Sequence, residues 1–247
     1  MSKKNELATQ QGGEIVASQY HRDYKMEGED NTDSVMPRVI LHQGDISEKY
    51  YGKQEKGTLL NSVTGEILTA RKFHPLGISW KEWIRLGENI GDRIVYRHRN
   101  KADVPAADLL WDEDETKKPK DRAPKASLFY NFVVLFEGAT EPICLSLKAK
   151  SKLQRGAAKA LNQMIKIRVA RKLDPGLYEL DIIDASNDKG KWKDVKIRPI
   201  GNPSEDLAAL GYQFWMVFSD KSIVVDIDKS DDAEEPDDTG YDPNKDE

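Results

Sequence analysis

Hydrophobic and polar residues alternate along much of the chain with a period of two, which is the period of β-strands. Residues 127–136 (SLFYNFVVLF) are apolar on both faces and predict a central strand, with which 141–147 should pair. The segments 177–186 and 191–200 predict a second hairpin that turns at residues 187–190 (NDKG). Shorter predicted strands lie at 38–42, 58–68 (a hairpin), 73–76 and 94–96.

Three other segments predict helices. From about residue 151 to 167, apolar residues recur every three or four positions and should form a buried stripe. The stripe consists of Leu153, Ala157, Leu161 and Met164 or Ile165. A last helix is predicted over 204–218 with Ser204 as its N-cap. A short helix is predicted over 79–86, because Ser79 and Glu82 have the spacing of a capping box.

This order of elements places a helix between pairs of strands. We therefore expect a mainly β fold with flanking helices, namely an OB-fold-like five-stranded barrel that is partly open and carries insertions. An α+β sandwich is also compatible with the order. We expect a disordered N-terminal arm over 1–35, one domain over 36–228 and a disordered acidic tail over 229–247. The polar segment 112–125 should be a mobile surface loop.

Composition narrows the class of protein. Charged residues make up 33% of the 247 residues and hydrophobic ones only 38%, so part of the chain should lie outside any core. The single cysteine, Cys144, excludes an intrachain disulfide and a cysteine-rich zinc site, and we expect its thiol to be buried. No apolar run is long enough to span a bilayer, and no apolar segment follows Met1. We expect a cytoplasmic protein without a membrane partner.

The distribution of charge along the chain is more informative than the formal net charge of −5. Residues 229–247 contain nine acidic residues and two lysines, a net charge of −7, which leaves residues 1–228 at +2. Residues 148–172 contain nine basic residues and no acidic one. A mildly basic body with a concentrated basic segment is typical of a protein that binds a polyanion, although a basic helix face is also often simply solvated.

Cations interleaved with aromatic rings are what a single-strand binder needs, because the cations contact phosphates and the rings stack on bases. The predicted phosphate contacts are Lys148, Lys150, Lys152, Arg155, Lys159, Lys189, Lys191, Lys193, Lys196 and Arg198. Trp192 lies among the cations of the second hairpin and is predicted to stack, with Tyr130 or Tyr178 as a further stacking residue. For all three rings the alternative is packing in the core.

The acidic tail then has a predicted role. A flexible polyanion tethered beside a cationic groove competes with nucleic acid at a high effective concentration. It also offers partner proteins an acidic peptide to bind. The alternative is that the tail only increases solubility.

Several segments resemble phage-encoded single-stranded-DNA-binding proteins. The resemblance lies in 37–44 (PRVILHQG), 61–66 (NSVTGE), 73–76 (FHPL) and 148–152 (KAKSK). It implies an OB-fold, binding of single-stranded DNA without catalysis during phage replication or recombination, and a tail that contacts replication or recombination proteins. For a phage-encoded protein the compartment would be the host cytoplasm. The segment 112–125 has no counterpart in the resemblance.

Two other classes of function are weighed against this prediction. Asp184, Asp194 and Lys196 have a D…DxK spacing that could hold Mg²⁺ for phosphodiester cleavage, although ordinary charged residues of a hairpin give the same spacing by chance. A phage structural protein is the third class, for which the sequence contains no long heptads or repeats. The four histidines are scattered, and no nucleotide-binding glycine motif is present, so we expect neither a metal nor a cofactor.

Overall fold

The computed structural model describes residues 33–44, 47–48, 51–87, 94–114, 116, 122–149, 152–187, 190–219 and 222–225. Its strands are β1 (Asp33–Met36), β2 (Val39–Leu41), β3 (Leu59–Asn61), β4 (Lys72–Leu86), β5 (Ile94–His98), β6 (Ala126–Phe136), β7 (Ile143–Lys148), β8 (Leu177–Asn187), β9 (Gly190–Gly201) and β10 (Ser222–Val225). The helices are α1 (Ala106–Leu109), α2 (Lys152–Ala170) and α3 (Glu205–Phe218). The acidic tail and most of the predicted N-terminal arm lie outside the described residues.

Six strands form one antiparallel sheet in the order β7-β6-β4-β8-β9, with β5 also paired to β4. The long β4 pairs with β6 on one side, while β8 and β5 pair with its two ends on the other side. The predicted hairpins β6–β7 and β8–β9 are both present. Two smaller pairs, antiparallel β2–β3 and parallel β1–β10, accompany the sheet.

β6 is apolar on both faces because a helix packs on each face of the sheet. Side chains at even positions of β6, such as Phe132, join a core that includes Leu161 of α2. Side chains at odd positions, such as Val133, join a second core that includes Leu207 of α3. Successive residues of a strand point to opposite faces, so α2 and α3 lie on opposite sides of the sheet. The mainly β fold with flanking helices is thus confirmed.

The predicted five-stranded OB-fold barrel is not confirmed, because the described pairings leave β7 and β9 as separate edges of the sheet. One segment nevertheless reaches both edges. Arg38 forms an isolated bridge with Cys144 of β7. The Gln43 side chain donates to the Lys193 carbonyl of β9 over 2.8 Å and accepts from its N–H over 3.0 Å. The sheet is therefore spanned by residues 38–43 without being closed by a continuous strand ladder.

The predicted helix at 79–86 is wrong, since these residues form the second half of β4. From Ser79 to Arg85 each residue is paired with a residue of β6. The register shifts between Pro75 and Ser79, and Gly77 adopts a φ of +76° within this irregularity. The irregularity lets a long strand bend while it stays paired. A continuous ladder with β6 outweighs the local capping-box signal, because local propensity is a weak determinant beside tertiary pairing.

The two long helices follow the predictions with one exception. Ser204 caps α3, and its Oγ accepts a hydrogen bond from the Leu207 N–H. In α2, Leu161 and Ile165 are buried as predicted, whereas Leu153 is 47% exposed. Leu153 belongs to the first turn of α2, and the core contacts of the helix begin one turn later, at Ala157 and Ala158.

Cys144 is fully buried, as predicted. Desolvation raises the pKa of its thiol to about 12, so the group stays neutral at physiological pH. Within the part of the chain that the structure describes, none of the helices is both long and apolar enough to cross a membrane.

The two ends of the predicted loop 112–125 are hydrogen-bonded to each other. Arg122 Nε donates to the Asp112 carbonyl over 2.8 Å, and the Asp112 N–H donates to the Arg122 carbonyl over 2.9 Å.

Candidate nucleic-acid interface

Three lysines from two segments meet near the turn of the β8–β9 hairpin. Lys193 Nζ lies 2.9 Å from Asp184 Oδ1 on the neighbouring strand. Lys56 Nζ donates to the carbonyl of Lys191 over 3.0 Å. The hydrogen bond from Lys193, with its charge and those of Lys56 and Lys191, lowers the pKa of the exposed Asp184 carboxyl. We call Lys56, Lys191 and Lys193 the lysine cluster; it carries three positive charges around one carboxylate.

Side chains form hydrogen bonds with the backbone groups along the outer edge of β9, and these bonds position the lysine cluster. Gln43 bonds both backbone groups of Lys193, and Lys56 bonds the carbonyl of Lys191. Asp194 Oδ1 accepts from the Val195 N–H over 2.7 Å. An edge strand presents unpaired backbone groups, and these side chains occupy them in place of another strand. Lys56 was missed in the sequence because nothing local places residues 51–57 against β9.

Trp192 lies on the face of β9 opposite to Lys191 and Lys193, as the alternation along a strand requires. Its indole is half-buried, and Nε1 lies 3.5 Å from Asp194 Oδ2. The residue opposite it on β8 is Ala185, which is too small to cover the ring. Part of the indole surface therefore remains accessible, on the face of the hairpin opposite to the lysine cluster.

Lys196 and Arg198 share the face of Trp192, and both are exposed. Arg198 forms ion pairs with Glu179 and with Asp181, the latter at 3.2 Å from Nε to Oδ2. Exposed pairs of this kind contribute only about 0–1 kcal/mol. A phosphate can therefore compete for Arg198, but its charge is partly neutralised, which makes it a weaker candidate than Lys196.

The basic residues predicted to contact phosphates around the start of α2 differ in how far they are exposed. Lys148 is only 9% exposed, with Nζ 5.7 Å from the centroid of the Phe129 ring, so it is not a surface cation. On α2, Arg155 is half-buried and Lys159 is exposed. Three of the predicted positions fall outside what the structure describes, namely Lys150, Lys189 and the side chain of Lys152.

Tyr130 and Tyr178 do not present their rings to solvent. They are 7% and 1% exposed and belong to the core beneath α2. Tyr178 stacks against Phe73 at 5.9 Å between centroids, and its hydroxyl donates to the Pro175 carbonyl. In this conformation a base cannot reach either ring, because β6 and β8 turn these residues toward α2. The predicted stacking role is therefore corrected to core packing.

Two arginines, Arg97 on β5 and Arg99 just after it, lie against residues of β4 and were missed in the sequence. The Arg99 guanidinium lies 5.1 Å from the centroid of the Trp80 ring. Arg97 Nη1 lies 3.8 Å from Oε1 of the buried Glu82, and Asn131 Nδ2 lies 3.5 Å from its Oε2. The alternation of aromatic and charged residues on these paired strands was the available signal. The incorrect helix prediction for the second half of β4 concealed it.

The geometry does not favour the nuclease alternative. Asp184 pairs with Lys193 and Asp194 pairs with Ile183, so the two carboxylates project from opposite faces of the hairpin. Asp194 is fully buried and bonds the backbone of β9, while Asp184 is exposed. Among the described residues there is no group of three or more His, Cys, Asp or Glu side chains arranged to hold a metal.

The fold and the site together define a mainly β protein in which an antiparallel sheet, covered by a helix on each face, carries lysines at the end of a long hairpin. Residues 10–224 match the family described as Pam3 phage gp34-like protein. The chain belongs to that family, which confirms the predicted relation to phage proteins. Comparisons with curated proteins and with solved structures gave no match.

Proposed function

We propose that this phage protein binds single-stranded DNA without cleaving it. The observation that carries the proposal is the lysine cluster, in which Lys56, from a separate loop, joins Lys191 and Lys193 at the end of the β8–β9 hairpin. Trp192, between these two lysines in the strand, leaves part of its indole accessible on the opposite face of the hairpin. Cations spaced along a strand contact successive phosphates, and an accessible indole offers a stacking surface to an unpaired base. Duplex DNA keeps its bases stacked on one another and leaves none for the indole.

The strand path supports this proposal. The five strands follow the path β7-β6-β4-β8-β9, and α2 connects β7 to β8. This order and helix position resemble those of an OB-fold in which the two edge strands, here β7 and β9, are not joined to close the barrel. Many proteins of this architecture bind oligonucleotides through the sheet and the adjoining loops. The turn between β8 and β9 is one of these loops, and the lysine cluster lies beside it.

One titration tests the proposal. Tryptophan fluorescence of the full chain is followed with oligo-dT, with a duplex of equal length and with oligo-U, all in Mg²⁺, and the samples are then analysed on a gel. We expect saturable binding of oligo-dT and much weaker binding of the duplex. On the gel, we expect all oligonucleotides to remain intact. Equal affinity for duplex would contradict a single-strand binder. Degradation that Asp194→Asn abolishes would replace the proposal with a Mg²⁺-dependent nuclease.

Replacing Trp192 with alanine should weaken oligo-dT binding and remove most of the fluorescence quenching. The loss of one stacked base corresponds to about 1–3 kcal/mol, or roughly a 5- to 150-fold higher Kd. Trp215→Ala is the matched control, because that indole is 41% exposed on α3, whose described residues include no basic one. Unchanged affinity of Trp192→Ala would remove this indole from the interface.

Deleting residues 229–247 should tighten DNA binding, and more so at low salt. The deleted segment carries a net charge of −7 and competes with DNA phosphates for the cations of the protein. Added salt shortens the Debye length and so screens this competition. Affinity is measured at ionic strengths from about 0.05 to 0.3 M. If the truncated and full-length chains bind equally at every ionic strength, the tail does not compete. The proposed partners of the tail are replication or recombination proteins.

A further inference from the structure

Helix α3 is apolar around almost its whole circumference. Among its 14 residues the only charged or amide side chains are those of Glu205, Asp206 and Gln213, and the two acidic ones lie in the first turn. The inner face packs into the second core through residues such as Leu207 and Phe214. A helix that is hydrophobic all round is normally buried on every side, so its outer face should also have a partner.

Three large side chains form the outer face near the end of α3. Tyr212, Trp215 and Met216 have the i, i+3, i+4 spacing of one helix face, and they are 50%, 41% and 55% exposed. The rings of Tyr212 and Trp215 stack, with 5.7 Å between their centroids. We call these three residues the α3 outer patch. A contiguous exposed apolar patch marks an interaction surface, whereas single exposed apolar residues do not.

The N-terminal part of the chain enters the fold beside this patch. Asp33, the first residue of β1, is paired with Ser222 of β10, and Ser222 follows the last residue of α3 by four positions. Consecutive Cα atoms are about 3.8 Å apart, so Ser222 lies within about 15 Å of that end of the helix. Met36, at the other end of β1, is buried in the second core together with Leu207. Residues 1–32 are therefore attached next to the C-terminal end of α3, on the same side of the sheet.

Residues 1–32 lie outside the described part of the chain, and their apolar residues concentrate at 15–24 (IVASQYHRDY). Within this segment Val16, Tyr20 and Tyr24 recur every four positions, which predicts an amphipathic helix. The link from this segment to β1 can extend by about 30 Å, whereas the whole of α3 is about 21 Å long. The segment can therefore reach every residue of the α3 outer patch.

The family match includes this segment together with α3. The match runs from residue 10 to residue 224, so it contains residues 15–24 and leaves out the acidic tail. The segment is thus part of the sequence that the family has in common with this chain, as α3 is.

We propose that residues 15–24 dock on the α3 outer patch of the same chain, with Val16, Tyr20 and Tyr24 against the patch. The short link to β1 holds the segment at an effective concentration on the order of millimolar, which exceeds that of a second copy competing for the same surface. Docking removes apolar surface from water and orders a part of the arm for which composition alone predicts disorder. The proposal does not depend on DNA binding.

Crosslinking in the full-length chain tests where the segment lies. Ala17→Cys and Ser219→Cys place one thiol beside each apolar surface without removing a residue of the α3 outer patch. Cys144 is the single native cysteine and is fully buried, so it does not compete for a short bis-maleimide. We expect an intramolecular crosslink at least about tenfold faster than in the control Ala17→Cys with Ala160→Cys, whose second thiol is exposed on α2, on the other side of the sheet.

Two results of this experiment would overturn the proposal. Equal crosslinking rates in the two pairs would show that the segment meets both surfaces at random. Crosslinked dimers whose fraction rises with protein concentration would assign the patch to a second copy of the chain. As a further control, Tyr20→Ser with Tyr24→Ser should lower the rate of the first pair to that of the second, and these changes leave the described residues of the domain untouched.

Amide hydrogen exchange of the unmodified full-length chain gives an independent measure. Exchange over residues 15–24 should be at least about tenfold slower than in a free peptide of the same sequence, and Trp215→Ser should remove this protection. Exchange at the rate of the free peptide, or protection that persists in Trp215→Ser, would mean that the segment does not dock on the α3 outer patch.

Discussion

The double variant Lys56→Glu with Lys191→Glu should raise the Kd for oligo-dT by about 100-fold at low salt, which is roughly tenfold for each lost phosphate contact. Lys191 is exposed, and Lys56 contributes one exposed hydrogen bond to the edge of β9, so the folded structure should persist. The new carboxylates would join Asp184, and the hairpin end would change from a net cationic to an anionic surface. Phosphates would then be repelled at the place where they are proposed to bind.

The salt dependence of the double variant gives a second measure. Each lost contact with a single strand reduces the magnitude of the negative slope of log K against log salt by about 0.7, so two contacts correspond to about 1.4. The control Lys72→Glu with Lys125→Glu changes the net charge equally at two exposed positions outside the cluster. If both double variants lose affinity to the same extent, binding follows net charge alone, and the lysine cluster is not the interface.

Replacing Gly211 with alanine should lower the free energy of unfolding by about 1–3 kcal/mol, because α3 approaches β4 too closely there for a side chain. A Cβ at this position would lie 2.7 Å from Cδ2 of His74 and 3.1 Å from Cδ2 of Leu76. The His74 ring is 2% exposed, and its Nδ1 lies 2.9 Å from the Gly176 carbonyl oxygen, so it cannot move aside freely. Either α3 or the ring must shift, and the second core loses contacts.

Gly156 in α2 provides the matched control. A Cβ there meets no atom within 4 Å. Glycine is unfavourable inside a helix, so Gly156→Ala should raise the free energy of unfolding by about 0.5–1 kcal/mol. Urea unfolding of both variants therefore gives shifts of opposite sign with similar m-values. Equal stabilisation by the two substitutions would mean that α3 does not pack against His74 as described.

The strength of each sequence pattern decided which elements could be predicted. The apolar run of β6 and the alternation along β8 and β9 extend over ten or more residues, so their strands were predicted within a residue or two. The capping of α3 by Ser204 was also predicted, because that contact is local. At 79–86, by contrast, a four-residue signal indicated a helix, and pairing with a distant strand overrode it.

The candidate site was predictable only in part for the same reason. Lys191, Lys193 and Trp192 were identified because they are close in sequence and alternate on one strand. Lys56 lies more than a hundred residues away and reaches β9 only through the loop that Gln43 anchors. The burial of Lys148 likewise depends on how β2 passes along β7, which no local pattern records.

By itself, the sequence determined the mainly β class, the two long hairpins, the two long helices and the concentration of basic residues in the second half of the body, because periodicity and charge are properties of neighbouring residues. The tertiary structure alone decided which ring faces are covered, which cations are buried and which distant loop completes the lysine cluster. Those outcomes depend on pairings between residues far apart in the chain, and the free energy of such pairings is set by the assembled sheet rather than by any local segment.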